Sequence, residues 1–351
     1  MRSLPLRPAL LALALALAGA CNHDYPSPFG GQGRTLAPPS SAALLFTSAA
    51  WSTQSGSGRE LFAANADGSG VTRLTFCNDG AVCDTVEAAI ASDRRRTEVR
   101  RVTTSTPGTA LVYIDLQQSA EAAVIPASQQ VSGIDWSSQG DVLVYSAFRA
   151  AGVDDLYRVD PNGQNGADLT CTNAGTTAGL TCDPTIRERR PRIDPTGNVA
   201  VYERIDATGR GQIYIFQNTV SKIPVTTGGT PGAALPGTPY VIGSDADPAY
   251  SPDAGSLVFR RLTGLGNGGL GAWDVLTVRT DGTGLAVVAT GPLYRGAPDW
   301  GPGGIVYAET DAGAATTSLV VIQPDGSGRH VLLTQPSTTN LGFPRWLPAA
   351  H

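Results

Sequence analysis

The sequence predicts an all-β chain: a six-bladed β-propeller of four-stranded antiparallel blades, with the ring closed by the C-terminal strand pairing into the N-terminal blade. Three observations predict it. A short three-residue motif, Pro-x-(Trp/Tyr) in its fullest copies, recurs six times, brief apolar stretches alternate with glycine-rich turns along the chain, and each end of the repeat region lacks what the other carries. With 42 glycines and 25 prolines spread through 351 residues and no long helical periodicity, the chain reads as many short strands joined by turns.

The motif copies are Ala88-Ala-Ile90, Ile134-Asp-Trp136, Pro191-Arg-Ile193, Pro248-Ala-Tyr250, Pro298-Asp-Trp300 and Pro344-Arg-Trp346, at intervals of 46 to 57 residues. Five are followed by a tight turn and an apolar strand: Glu98–Val102, Val142–Tyr145, Val199–Tyr202, Leu257–Phe259 and Ile305–Tyr307. A third strand follows in each unit, with period-two alternation clearest in Leu156–Val159, Ile213–Phe216 and Val275–Val278. The chain then turns at Asp67-Gly-Ser-Gly, Pro161-Asn-Gly, Asp281-Gly-Thr-Gly or Asp325-Gly-Ser-Gly and returns as a fourth strand, often ending in a Leu-Thr pair such as Leu74-Thr75 or Leu169-Thr170. Asp-Gly suits a hairpin because glycine supplies the positive φ of primed turns, and the residues of an EF-hand calcium loop are missing from these turns. The first unit starts at Ala43–Phe46 with no motif before it, and the last motif has no strands after it. Joining the two completes the sixth blade and leaves no open sheet edge.

Pro248-Ala-Tyr-Ser-Pro-Asp-Ala-Gly255 before an apolar strand, together with Asp-Gly-(Ser/Thr)-Gly between outer strands, resembles the repeats of TolB-like propellers over residues 43 to 348. The second blade matches least well. The separate N-terminal α/β domain of the Tol-system protein has no counterpart here, so the resemblance implies the propeller and not that protein's partners.

Before the propeller, residues 1–20 run from a charged start with Arg2 and Arg7 through an Ala/Leu stretch to Ala18-Gly-Ala20, the layout of a secretory signal. Small residues directly before Cys21 resemble a lipobox, which implies a lipidated Cys21 and a membrane anchor. Asn22, in place of an aspartate, implies the outer membrane by the same resemblance. Residues 21–41 are polar and rich in Pro and Gly and read as a disordered tether, which leaves residues 42–351 for the propeller domain.

The net charge is −5 and becomes more negative when the leader's two arginines are removed, which argues against nucleic acid as a partner. The three histidines, His23, His330 and His351, fall in the tether, on an outer strand and at the end of the sequence, and there is no Gly-x-Ser-x-Gly elbow. The expectation is therefore a binding module and not an enzyme, with no cofactor and no metal, for an envelope protein, peptide or glycan. An envelope hydrolase of lactonase or glycosidase type with a channel site, and a structural scaffold, are the alternatives; the fold does not choose among them.

Candidate sites follow from the repeat. Cys77 with Cys83, and Cys171 with Cys182, fall in equivalent loops after a fourth strand, a placement that favours two local disulfides over the two other pairings. The middle residues of the motifs run around the ring as Arg345, Ala89, Asp135, Arg192, Ala249 and Asp299. Neighbouring blades would then pair Asp135 with Arg192 and Asp299 with Arg345, two ion pairs on opposite sides of the channel. Glu87, Arg189, Arg190, Asp245, Asp247, Tyr294 and Arg295 lie just before the motifs and are expected to converge at the channel mouth. The long segments 171–188, 226–246 and 261–272 belong to that face, which makes it the expected binding surface.

Overall fold

The computed structural model describes residues 37–49, 58–75, 83–103, 108–117, 120–126, 129–137, 140–150, 153–171, 183–197, 199–217 and 221–348. The proposed signal, Cys21, Cys77 and Cys182 lie outside these, as do His23, His351 and the side chain of Cys83. Blade I contains β1 (Leu44–Ser48), β2 (Glu60–Ala64) and β3 (Thr72–Arg73), and blade II β4 (Cys83–Ile90), β5 (Arg96–Thr103), β6 (Gly108–Asp115) and β7 (Ala120–Ile125). Blade III is β8 (Gly133–Trp136), β9 (Leu143–Ala150), β10 (Val153–Val159) and β11 (Ala167–Asp168); blade IV is β12 (Arg187–Ile193), β13 (Ala200–Ile205), β14 (Gly211–Gln217) and β15 (Ser221–Pro224). Blade V is β16 (Asp245–Tyr250), β17 (Ser256–Leu265), β18 (Gly271–Arg279) and β19 (Ala286–Ala289). Blade VI is β20 (Tyr294–Gly301), β21 (Gly304–Asp311), β22 (Thr316–Ile322) and β23 (His330–Pro336), after which β24 (Gly342–Trp346) pairs antiparallel with β1 as the fourth strand of blade I. Each sheet is antiparallel throughout, and the weakly matching second blade has all four strands.

The core lies between blades. Apolar residues of one blade face the next: Leu45 and Leu61 meet Ala88, Val112 and Ile114; Leu111 meets Ile134 and Tyr145; Leu156 meets Tyr202 and Phe216. Around the other half, Val201 and Ile213 meet Leu257 and Phe259, Val258 and Val275 meet Ile305 and Tyr307, and Phe46 and Phe62 meet Ala308 and Leu319. Blade VI therefore packs on blade I as the others pack on their neighbours. Trp346 of β24 lies flat against blade VI: a Cβ on Gly301 or Gly303 would come within 2.2 Å of its side chain. Those two positions accept only glycine, because any larger residue would displace the indole.

Side chains complete the short outer strands. β3 and β11 have two residues each, and beyond them the Thr75 and Thr170 hydroxyls accept the Leu61 and Leu156 N–H at 2.9 Å. A threonine oxygen thus takes the place of a ladder carbonyl, which accounts for the recurring Leu-Thr pair; Val225-Thr226 does the same for Ile213 at 3.0 Å. The Asp-Gly turns differ from the expected primed form. In each of four, a glycine at φ 78 to 84° donates its N–H to a C=O three residues back (Gly68 to Asn65, Gly163 to Asp160, Gly282 to Arg279, Gly326 to Gln323), and a second left-handed residue stands two positions on (Gly70, Asn165, Gly284, Gly328). This is the longer hairpin loop with a glycine bulge, and its two left-handed residues are not adjacent as they are in a primed turn. Asp67, Asp281 and Asp325 accept the N–H two residues on at 2.9 Å, so these carboxylates close their own turns.

Residues 39–42, mostly assigned to the tether, are held against blade II. The buried Arg94 guanidinium donates to the carbonyls of Pro39, Ser40 and Ala42, because a cation removed from water needs acceptors and the incoming chain supplies them.

A chain truncated after Leu341 loses β24 and uncovers the inner edge of β1 and the face of blade VI. We expect it to lose the cooperative thermal transition of the full chain; a sharp transition at unchanged Tm would contradict this role for β24.

Candidate functional site

The inner strands carry a shared distortion. In β12, β16 and β20 the ladder slips between Arg189 and Arg192, Ala246 and Ala249, and Gly296 and Asp299, just where the motif proline stands. Proline has no N–H for the ladder, so the strand bulges around it. The residue before each proline takes a left-handed conformation: Arg190 (φ 53°), Asp247 (φ 49°), Ala297 (φ 42°) and Phe343 (φ 47°). Left-handed non-glycine residues are strained by roughly 1–2 kcal/mol each. The turn brings these side chains together: Arg190 reaches Glu87 of blade II at 3.1 Å and Asp247 of blade V at 3.4 Å, and lies over the Phe343 ring of blade I at 5.2 Å.

Charges of one sign bridge charges of the other across the axis. Arg345 donates to Glu87 at 2.8 Å, to Asp135 at 2.7 Å and to the Ile134 carbonyl at 2.8 Å. Asp247 binds Arg260 at 2.6 Å, and Arg260 stacks on Trp273 with its guanidinium carbon 4.0 Å from the ring centroid. Glu203 accepts the Asp247 N–H at 3.1 Å and the Tyr240 hydroxyl at 2.7 Å. Burial works against ionisation of Asp247, but Arg260 and Arg190 outweigh it and hold its carboxyl below the usual value; burial next to Asp247 pushes Glu203 above its own.

Of the two expected motif pairs, Asp135 with Arg192 is present as a long contact, and Arg345 turns to Asp135 and Glu87 instead of Asp299. Arg192 approaches Asp135 only to 4.0 Å. Among the described residues Asp299 forms no ion pair; its carboxylate accepts the Trp346 N–H at 2.8 Å, just as Asp135 accepts that of Ile193 at 2.8 Å. Arg345 extends past Ala89, whose methyl group leaves the way open, to the blade beyond.

Nor do the seven mouth residues converge. Glu87, Arg190 and Asp247 meet at the axis and the Tyr294 ring lies 5.4 Å from Arg260, but the others are turned between blades. Arg189 pairs with Asp154 at 3.1 Å, Asp245 with Arg261 at 2.6 Å, and Arg295 with Glu309 at 2.9 Å and with the carbonyls of Trp273, Thr290 and Gly291. The bulge causes the split: Arg189 is still in the ladder, while the left-handed turn at Arg190 sends its side chain to the axis. Glu203, Arg260, Tyr240, Asp154 and Glu309 were missed as members of these networks. Their signal is a charge inside an otherwise apolar strand, as in Val201-Tyr-Glu203 and Phe259-Arg260.

The two ends of the channel differ. On the expected binding face, segment 226–244 folds over the mouth, with Leu235 and Tyr240 buried against Leu262 and Trp273. Segment 261–272 extends the β17–β18 hairpin and exposes Leu265 and Leu270. Among the described residues an open cavity of about 440 Å³ lies at the other end, where the inner strands finish and the motif turns begin. Its lining combines Asp135, Arg192, Asp299 and Arg345 with Trp300, Tyr250 and the turn prolines. His330 is exposed on β23, away from this end.

Changing Asp247 to Asn would leave Arg190 and Arg260 buried with less counter-charge, at a cost of roughly 3–5 kcal/mol in urea unfolding at neutral pH. Because Asp247's folded pKa is lowered, the stability it contributes is present above the unfolded carboxyl pKa and is lost as pH falls through the folded one. The gap between wild type and D247N should therefore narrow in acid; a gap unchanged with pH would contradict the assignment.

No family model matches the sequence, and no curated protein matches it. Among solved structures the chain is similar to TolB from Acinetobacter baumannii, at 16% identity and a TM-score of 0.63, covering 89% of this chain and 68% of that one. It is also similar to a putative TolB from Agrobacterium tumefaciens (13% identity, TM-score 0.57, covering 88% and 98%) and to a chain of a nidogen/laminin complex (11%, 0.57, covering 88% and 100%). At these identities the likeness is one of fold, and the chain has the six-bladed β-propeller fold of the TolB structures.

Proposed function

We propose that the chain is an exported binding module of the cell envelope, tethered by lipid on Cys21, that recognises a protein, peptide or glycan through the open end of its channel and has no catalytic activity. One observation carries the reading: the 440 Å³ cavity combines apolar walls with a buried charged floor, and its size is that of small-group recognition sites, about 300–1,000 Å³. A rigid ring whose cores run from blade to blade holds such a site preorganised, so little ordering cost is left for binding. The nidogen/laminin structure is of a protein–protein complex and lends support by analogy of fold. Cys171 is a half-cystine, which supports the local bridge to Cys182 and, by equivalence of position, Cys77 to Cys83.

Capture from envelope extract by the detergent-purified full chain tests the reading. We expect a partner, identified by mass spectrometry, that is lost with Arg192→Gln and kept by Leu265→Ser/Leu270→Ser. The reverse pattern would move the site to the opposite face, and no partner at all would favour the enzyme or scaffold reading. For the anchor, Cys21→Ala should shift the protein from the membrane fraction to the soluble fraction; continued membrane association would refute lipidation at that residue.

A further inference from the structure

Arg345 and Arg192 occupy equivalent places in the repeat, three blades apart, and their surroundings differ. Arg345 makes three hydrogen bonds. By repeat symmetry Arg192 would reach over Ala249 to Asp299 and Asp247, but Asp247 is already engaged by Arg260 and Arg190. Among the described residues Arg192 makes no side-chain hydrogen bond, although it is only 7% exposed and lines the cavity. Its guanidinium, with five donors and no acceptor, faces the cavity and is open to a ligand that exchanges with solvent there.

The same wall carries the opposite charge. Among the described residues Asp299 has no ion pair within 4.0 Å; its carboxylate accepts the backbone N–H of Trp346, and Arg192 acts on it electrostatically without touching it. Along the axis the acids Glu87, Asp135, Asp247 and Asp299 face the bases Arg190, Arg192, Arg260 and Arg345. A plain anion on Arg192 would lie against the carboxylates of Asp135 and Asp299, and a plain cation on Asp299 would lie against Arg192. A ligand with both charges avoids either conflict.

We propose that this cavity takes a small zwitterion, a free α-amino acid with an apolar side chain, its carboxylate bound by Arg192 and its ammonium by Asp299. The proposal deepens the binding reading by naming the group the cavity accepts. Arg suits the carboxylate because its planar fork donates two parallel N–H bonds. The apolar side chain rests against Trp300, Tyr250, Pro252, Pro302, Leu347 and Pro348, which line the cavity.

Titration calorimetry on the full chain in detergent tests this with L-leucine, N-acetyl-L-leucine, which lacks the ammonium, and L-leucinamide, which lacks the carboxylate. We expect one-to-one leucine binding, weakened at least about tenfold in both analogues and in Arg192→Gln and Asp299→Asn, each variant first checked for an unchanged melting transition. N-acetyl-leucine binding as well as leucine would overturn the ammonium contact, and leucinamide binding as well would overturn the carboxylate contact. No heat with leucine or phenylalanine at millimolar concentration would overturn the proposal. A partner captured through Arg192 would still stand in that case, so the two failures can be told apart. Because the analogues alter the ligand and not the protein, the comparison survives even if a variant fails to fold.

Discussion

No backbone ladder crosses the axis of a ring of six separate sheets, and in this protein the crossing is made by guanidinium groups. Arg345 links blade I to blades II and III, and Arg190 links blade IV to II and V while lying over a ring of blade I. Each of these contacts requires the inner strand to deliver a side chain off its regular alternation. Proline at the bulge and the left-handed residue before it meet that requirement. Local strain and axial charge are therefore one arrangement: backbone energy spent at the bulge is offset by ion pairs formed in a place that excludes most water.

The repeat was legible because its signals are local. Proline's missing N–H, glycine's positive φ and the apolar alternation of Ile213–Phe216 act within a few residues of where they stand, and the blades follow from them. The partners of the charges were not legible. Reading Asp299 beside Arg345 assumes that neighbours on the ring pair, whereas an arginine is long enough to pass a blade whose motif residue is Ala89. The bulge was also invisible as a pattern, and it decides that Arg190 faces the axis while Arg189 faces Asp154. Segment 226–244, one of the long loops, spends its length covering the mouth, with Tyr240 anchored on Glu203. Loop length measures what a segment can reach; it does not say whether the segment opens a site or closes one.

This asymmetry between ends has a physical basis in the two layers of axial residues. The layer at the start of the inner strands is crowded, with Arg190, Glu87 and Asp247 in mutual contact and Arg260 behind them. The layer at the finish has alanine at two of its six places and, among the described residues, one guanidinium, Arg192, that makes no hydrogen bond and faces the cavity. Two repeats of Arg, Ala, Asp would have made a symmetric ring, and the departure from that symmetry is at Arg192, which lacks the hydrogen bonds of Arg345.

The pairing of β24 with β1 also governs time. Thr47 bonds the carbonyl of Gly342 across 295 positions of sequence, and Trp346 rests on Gly301 and Gly303 of a blade formed from much later chain than its own partner strand. Contacts this distant in sequence form late, after the loop-closure entropy of the whole domain has been met. A chain emerging from its N-terminus would therefore hold β1 with an uncovered inner edge through most of its synthesis, and that edge can pair with other chains for as long as it stays open. The order of the strands thus makes blade I, the first to appear, the last to be finished.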